Sequence, residues 1–252
     1  MAIKNSVRLT PNVRHLVWGS ESWEASVRED APTPVAEGPL AGVALRELIP
    51  DFPLLVKVID AKNRLSVQVH PNNANAALTG GEPKTEMWCV LEGGPIYAGL
   101  KPGVGPSDIE SAVVSGKFEE LLVRHDAKPG DIFFIPGGLV HAIGDGVKLF
   151  EVQQSSETTY RLYDWGRMGV DGKPRQLHIA ESLKSIDFSL PVPDPKGVTK
   201  VDCPYFRFRR LDAGAKATTD AEVTVVYYPG TSETWLVPAG TEVAGPAFTT
   251  TY

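Results

Sequence analysis

Residues 129–141 read Pro-Gly-Asp-Ile-Phe-Phe-Ile-Pro-Gly-Gly-Leu-Val-His. Gly130 marks a turn, and Asp131 to Ile135 is a short run rich in β-forming residues. Pro136-Gly137-Gly138 is a second turn, and it delivers His141. A strand bracketed by two turns and ending on an imidazole predicts a mainly β chain that presents polar side chains to a cavity.

Upstream, Leu65 to His70 alternates. Leu65, Val67 and Val69 point to one side of a strand; Ser66, Gln68 and His70 point to the other. In a barrel such a polar face lines a ligand cavity while its back packs on other elements. Pro71 ends this strand, and Asn72 or Asn73 is placed to cap a short helix closing at Gly80. Glu86 to Leu91 is strand-like, with Trp88 and Val90 on the side of Glu86. Lys148 to Val152 is another strand, and the apolar run Phe52 to Ile59 reads as a buried one.

Helices are few. Ser107-Asp108-Ile109-Glu110 matches a capping box and predicts a helical region to about Arg124, broken near Gly116. Residues 177–188 have helical periodicity, and 191–197 (PVPDPKG) reads as a linker. Beyond it, short β pieces such as Val223 to Tyr228 and Thr234 to Val237 form a stretch without histidine. The expected organisation is a catalytic unit over residues 1–190 and a small, shortened C-terminal β unit over 198–252.

Composition agrees. The chain has 252 residues, 42% of them hydrophobic, with 24 glycines and 21 prolines, which favours short strands and many turns. A net charge of -6 without a Lys/Arg run argues against a nucleic-acid groove. No apolar stretch is long enough to span a membrane, and the N-terminus lacks the apolar region of a secretory signal. The two cysteines make no disulfide framework, so a cytoplasmic location is expected.

Gln68, His70, Glu86 and His141 are the candidate metal ligands. Gly130, Pro136, Gly138 and His141 fit the second motif of the cupin fold, with Asp145 where an Asn is usual. Gln68 stands where the first cupin motif normally has its first histidine. Two nitrogens and two oxygens suit zinc, with manganese, cobalt or iron as alternatives. Catalysis at such a site requires a fifth ligand or one weak protein ligand, and the Gln68 amide is the weak one. His15, His125 and His178 stand in no comparable frame.

Four blocks, in order, resemble the type I mannose-6-phosphate isomerase (phosphomannose isomerase) family in its short bacterial form. They are LSVQVHPNN (65–73), KTEMW (84–88), PGDIFFIPGGLVHAIGDG (129–146) and TTYRLYDWGR (158–167). Trp18-Gly19 and Glu21-Ser22-Trp23-Glu24 resemble its N-terminal signature. Cys89 and Pro83 depart from the family's commoner Tyr and Gly, and the C-terminal unit is shorter than its usual second barrel. The resemblance implies a cupin (jelly-roll) barrel with a few peripheral helices and one Zn2+ per chain on those four ligands. It also implies reversible conversion of mannose 6-phosphate to fructose 6-phosphate, with Arg161 as the catalytic arginine. Lys84 matches the family's active-site lysine, Glu151 an acidic residue, and Arg167 a basic position near the phosphate.

That reaction moves a proton between C1 and C2 through a cis-enediol, whose oxyanion a Lewis acid stabilises. A metal's charge disfavours a second cation beside it, which favours Lys84 over Glu151 as the base. Arg161 offers charge-assisted bonds to the enediolate or the phosphate. Ser66 shares the polar face and can hydrogen-bond substrate. The alternatives are another metal-dependent cupin enzyme and a non-catalytic metal- and sugar-phosphate-binding cupin.

Overall fold

The computed structural model describes residues 3–169 and 172–252. The chain is mainly β, as expected, with four short α-helices among the described residues. One six-stranded sheet runs in the order Asn12–Leu16, Gly19–Ala25, Leu54–Ala61, Lys148–Gln154, Glu86–Glu92, Ile132–Ile135. A five-stranded sheet has the order Tyr160–Tyr163, Val67–Val69, His141–Ile143, Gly94–Leu100, Leu122–Ala127. The inner faces pack on each other through Ile59, Trp88, Phe133 and Leu149 from the first sheet and Ile96, Ala98 and Ile143 from the second.

A third sheet orders Val7–Leu9, Glu233–Pro238, Val223–Tyr228, Ala247–Thr251, Arg207–Leu211, Lys200–Asp202. Its first strand comes from the start of the chain and pairs antiparallel with Glu233–Pro238. This sheet covers the outer face of the first one. Phe150 stacks on Tyr227 at 4.9 Å and lies 5.3 Å from Phe248. The first sheet is thus covered on both faces, which is why Leu54–Ala61 is apolar at almost every position instead of alternating.

The strand Val67–Val69 shows the predicted split. Val67 and Val69 face outward into a cluster with Ile109, Phe118 and Leu162, beneath the helices. Gln68 faces the cavity between the sheets. Its expected helical neighbour forms at Ala76–Thr79 and closes at Gly80, with Asn75 as the capping residue. The Asn72 side chain instead accepts from the backbone N–H groups of Ala74 and Asn75.

Two helix boundaries differ from the sequence reading. The helix Pro106–Ser115 is capped at Gly105, two residues before the Ser107 of the expected box. The Asp108 carboxylate accepts from the Gly105 N–H at 2.8 Å, so the reach is back to a glycine and not to Ser107. The break at Gly116 is present, but Leu122–Arg124 continue as strand and not helix, because they pair with Gly94–Leu100. The periodic segment 177–188 contains the helix Ile179–Ser185.

The Pro-Gly-Gly turn has a steric reason. A Cβ on Gly137 would lie 2.7 Å from the Pro71 carbonyl oxygen, and Gly138 has φ +101°. Only glycine lets this turn nest against Pro71 and Asn72. That contact brings His141 beside the strand that ends at His70.

Candidate metal centre

Strand register assembles the site. His141 and Arg161 both pair with Gln68, from either side. One row across the five-stranded sheet therefore carries His141, Gln68 and Arg161 on the same face. On the facing sheet, Lys57 and Trp88 both pair with Glu151, and Glu86 stands two residues before Trp88 in its strand.

The donor atoms converge. His70 Nδ1 is 2.8 Å from the Thr158 carbonyl oxygen, and His141 Nδ1 is 2.8 Å from that of Leu139. A carbonyl only accepts, so each Nδ1 carries the proton and each Nε2 presents a lone pair. Glu86 Oε2 lies 3.4 Å from His70 Nε2, and Oε1 lies 3.4 Å from His141 Nε2. Ligands held at 2.0–2.1 Å around one tetrahedral ion would be roughly 3.4 Å apart. Both Glu86 oxygens are buried without a hydrogen-bond donor in good geometry, which is the signature of a carboxylate built to meet a cation.

Gln68 completes the set. Its amide Nε2 is 3.3 Å from His141 Nε2. A half-turn of the amide exchanges nitrogen for oxygen, so the same position offers Oε1 as a fourth, weaker ligand. The residues present fit a single divalent ion. Among the described residues, the His/Cys/Asp/Glu groups close enough to hold a metal are His70, Glu86 and His141.

Charge within the pocket is balanced. Lys84 Nζ lies 2.8 Å from Glu86 Oε2 and 3.2 Å from His70 Nε2, so the donor set already attracts one cation. Burial pushes the Glu86 carboxyl up, but Lys84 and the two histidines outweigh it and hold it well below the usual carboxylate range. Burial, reinforced by Lys84, drops the His70 imidazole to about 3. Burial also lowers His141. Both imidazoles are thereby kept neutral, the form that ligates metal.

Beside this set lies a cavity of about 330 Å³ between the sheets. Ser66, Gln68, Lys84, Glu151 and Arg161 line it. Glu151 is buried; its Oε2 accepts from Trp88 Nε1 at 2.8 Å, and its Oε1 is 3.5 Å from Lys57 Nζ. Burial, then the Glu86 charge, raise the Glu151 carboxyl against the pull of Lys57. Arg161 Nη1 donates to the Gln176 carbonyl at 2.8 Å. The two carboxylates nearest in sequence are occupied elsewhere: Asp164 by Arg175 in a bidentate pair, and Glu157 by Arg14 and Arg28. Arg161 therefore faces the cavity with charge to spare.

Arg167 is placed differently. It lines a separate surface cavity with Lys62, Asn63 and Arg64 and does not line the one beside Glu86. Trp23 and Trp88 are fully buried, so neither offers a face to a sugar. Sequence reasoning gave no role to Lys57 and Glu21, which lie 3.4 Å apart and join Glu151 in one buried charge network. The signal for Lys57 was present: a lone cation inside the apolar run Phe52 to Ile59.

A family model described as phosphomannose isomerase type I, catalytic domain, matches residues 37–87. The chain is 34% identical over 226 residues to mannose-6-phosphate isomerase ManA of Bacillus subtilis, covering 79% of this chain and 71% of that one. It is 38% identical over 187 residues to mannose-6-phosphate isomerase of Streptococcus mutans, covering 68% of this chain and 59% of the relative. The crystal structure of a mannose 6-phosphate isomerase from Bacillus subtilis superposes with a TM-score of 0.82 at 25% identity, over 98% of this chain and 99% of that one.

Proposed function

Since this chain belongs to the type I phosphomannose isomerases, we propose that it interconverts mannose 6-phosphate and fructose 6-phosphate using one zinc ion. Gln68, His70, Glu86 and His141 would hold the ion. One observation carries this reading: two imidazole Nε2 atoms with fixed tautomers converge on a buried carboxylate that accepts no well-formed hydrogen bond. When bound, the zinc supplies Lewis acidity for the oxyanion that develops at O1 and O2.

The protein's own groups account for the rest of the chemistry. Lys84 is the base that carries the proton between C1 and C2 through a cis-enediol; Glu151 is the second candidate. General acid–base help of this kind typically contributes about 10²–10⁴-fold. The Lys57–Glu151–Trp88 contacts hold the Glu151 carboxyl still at the cavity wall. Arg161, without a carboxylate of its own among the described residues, meets negative charge on the substrate. Ser66 at the same wall offers a hydroxyl. Two free thiols, Cys89 and Cys203, suit a reducing cytoplasm.

The test is a coupled assay of fructose 6-phosphate formation from mannose 6-phosphate. Activity should vanish with a chelator and return with added zinc. Binding of sugar phosphate and metal without turnover would leave the non-catalytic reading in its place.

A further inference from the structure

The C-terminal sheet has a second face, turned away from Phe150, and it is not packed as a core throughout. Phe208, Val225 and Phe248 point toward the first sheet. Their strand neighbours point the other way, toward the paired strands Lys216–Thr218 and Glu242–Ala244. Between them lies a cavity of about 350 Å³ that shares no lining residue with the one beside Glu86.

Register builds its wall. Arg207 pairs with Thr251 and Arg209 with Thr249, while Lys200 pairs with Arg209 at the sheet edge. Val226 pairs with Thr249, so Thr224 falls next to Thr251. Two rows of hydroxyls and guanidinium groups therefore run side by side over neighbouring strands.

The cations are held in place yet keep donors. Arg207 Nε donates to Thr251 Oγ1 at 3.2 Å, and its Nη atoms reach Asp220 at 3.3 and 3.4 Å. Arg209 Nη2 donates to Asp202 at 2.6 Å, and its Nη1 donates to the Phe208 carbonyl at 2.8 Å. A guanidinium has five N–H donors, so both forks retain some for a ligand. Thr224 is the second, independent observation. It is 1% exposed and lines the cavity, and its Oγ1 has no hydrogen-bond partner. A buried hydroxyl left unpaired is costly unless something in the cavity meets it.

We propose that this cavity is a second small-molecule site, separate from the metal centre, that takes a phosphate group through Arg207, Arg209 and the Thr224 hydroxyl. Forked guanidinium donors and a hydroxyl match the oxygens of a phosphate, and the volume suits a small phosphorylated molecule.

The test is calorimetric titration of the full chain with inorganic phosphate and, separately, with glycerol phosphate. Wild type is compared with Arg161→Gln, Thr224→Val and Arg207→Gln. One binding event should survive Arg161→Gln and weaken about tenfold or more in both Thr224→Val and Arg207→Gln. Thr224→Val is isosteric and removes an unpaired group, so it should melt no lower than wild type and keep the isomerase kcat and KM. Tighter glycerol phosphate would identify a phosphate monoester as the ligand, and tighter inorganic phosphate the free anion. The proposal is overturned if no event survives Arg161→Gln. It is equally overturned if the surviving event has unchanged affinity in Thr224→Val and Arg207→Gln.

Discussion

Glu86 Oε1 lies 3.4 Å from His141 Nε2, with both groups almost wholly buried and the imidazole held neutral. An uncharged imidazole gains little from the ionised carboxylate beside it, and the Lys84 ammonium, 2.8 Å from Oε2, meets the other oxygen and not the Oε1 that faces His141. The pair becomes favourable when a cation joins it. Chelation should therefore cost stability as well as activity. An ion present at 100 times its dissociation constant contributes about 2.7 kcal/mol to folding. Glu86→Gln should lose the metal, measured by elemental analysis, and should show no zinc-dependent rise in melting temperature. Retention of stoichiometric metal in that variant would remove the proposed ligand set.

Lys84 Nζ sits against Glu86 Oε2 and His70 Nε2. Lys84→Ala removes a cation from the neighbourhood of the ion but none of the four proposed ligands. It should keep zinc and lose turnover by about 10²–10⁴-fold, the usual worth of a general base. Substantial residual kcat would pass the proton transfer to Glu151, and Glu151→Gln would then show the larger loss.

Arg161 and Arg175 share the cavity wall, but their partners differ. Arg175 makes a bidentate pair with the buried Asp164, so Arg175→Gln should destabilise by roughly 2–4 kcal/mol through an unpaired carboxylate. Among the described residues Arg161 forms no ion pair of its own, since Asp164 is held by Arg175. Arg161→Gln should leave the denaturation midpoint near that of wild type while kcat/KM falls. Urea titrations beside steady-state kinetics separate the two, and equal destabilisation would show that Arg161 serves the fold.

The parts of the site legible in the sequence are those with a local period. Alternation from Leu65 to His70 exposed the polar face, and the turn residues before His141 announced how it is delivered. The joining of Lys57 to Glu21 and Glu151 was not legible because it arises from register between strands distant in the chain, and Arg175 reaches Asp164 from a loop. Arg167 follows Trp165, whose φ is +59°, and Gly166, in a turn that carries it to the neighbouring cavity. Proximity to the TTYR block gave no warning of that bend. Likewise, the contribution of Val7–Leu9 to the C-terminal sheet is a long-range pairing that three residues of alternating sequence do not encode.

Glu24 is buried, and burial raises its carboxyl above the usual value despite hydrogen bonds from Thr234 and Ser22. The folded chain therefore binds this proton more tightly than the unfolded one. Its contribution favours folding most at or below the unfolded value of about 4.5, is lost as pH rises through the raised folded value, and is constant above it. Glu24→Gln removes that proton from the balance. The drop in melting temperature between pH 5 and pH 8 should be smaller in Glu24→Gln than in wild type. An identical drop would show that Glu24 does not titrate across the transition.

Phe150 and Glu151 are consecutive in one strand and serve opposite faces. Glu151 points to the cavity, and Phe150 points into the C-terminal sheet, where Tyr227, Phe248 and Phe208 surround it. The two sheets share this one core, so they should unfold together and not in sequence. Truncating a buried phenylalanine typically costs about 3–5 kcal/mol. Phe150→Ala should lower stability by that amount in a single calorimetric transition, while zinc content at low temperature stays at the wild-type level because no ligand has moved. Two resolved transitions, with the C-terminal strands melting first, would show that the two inner sheets stand without the outer one.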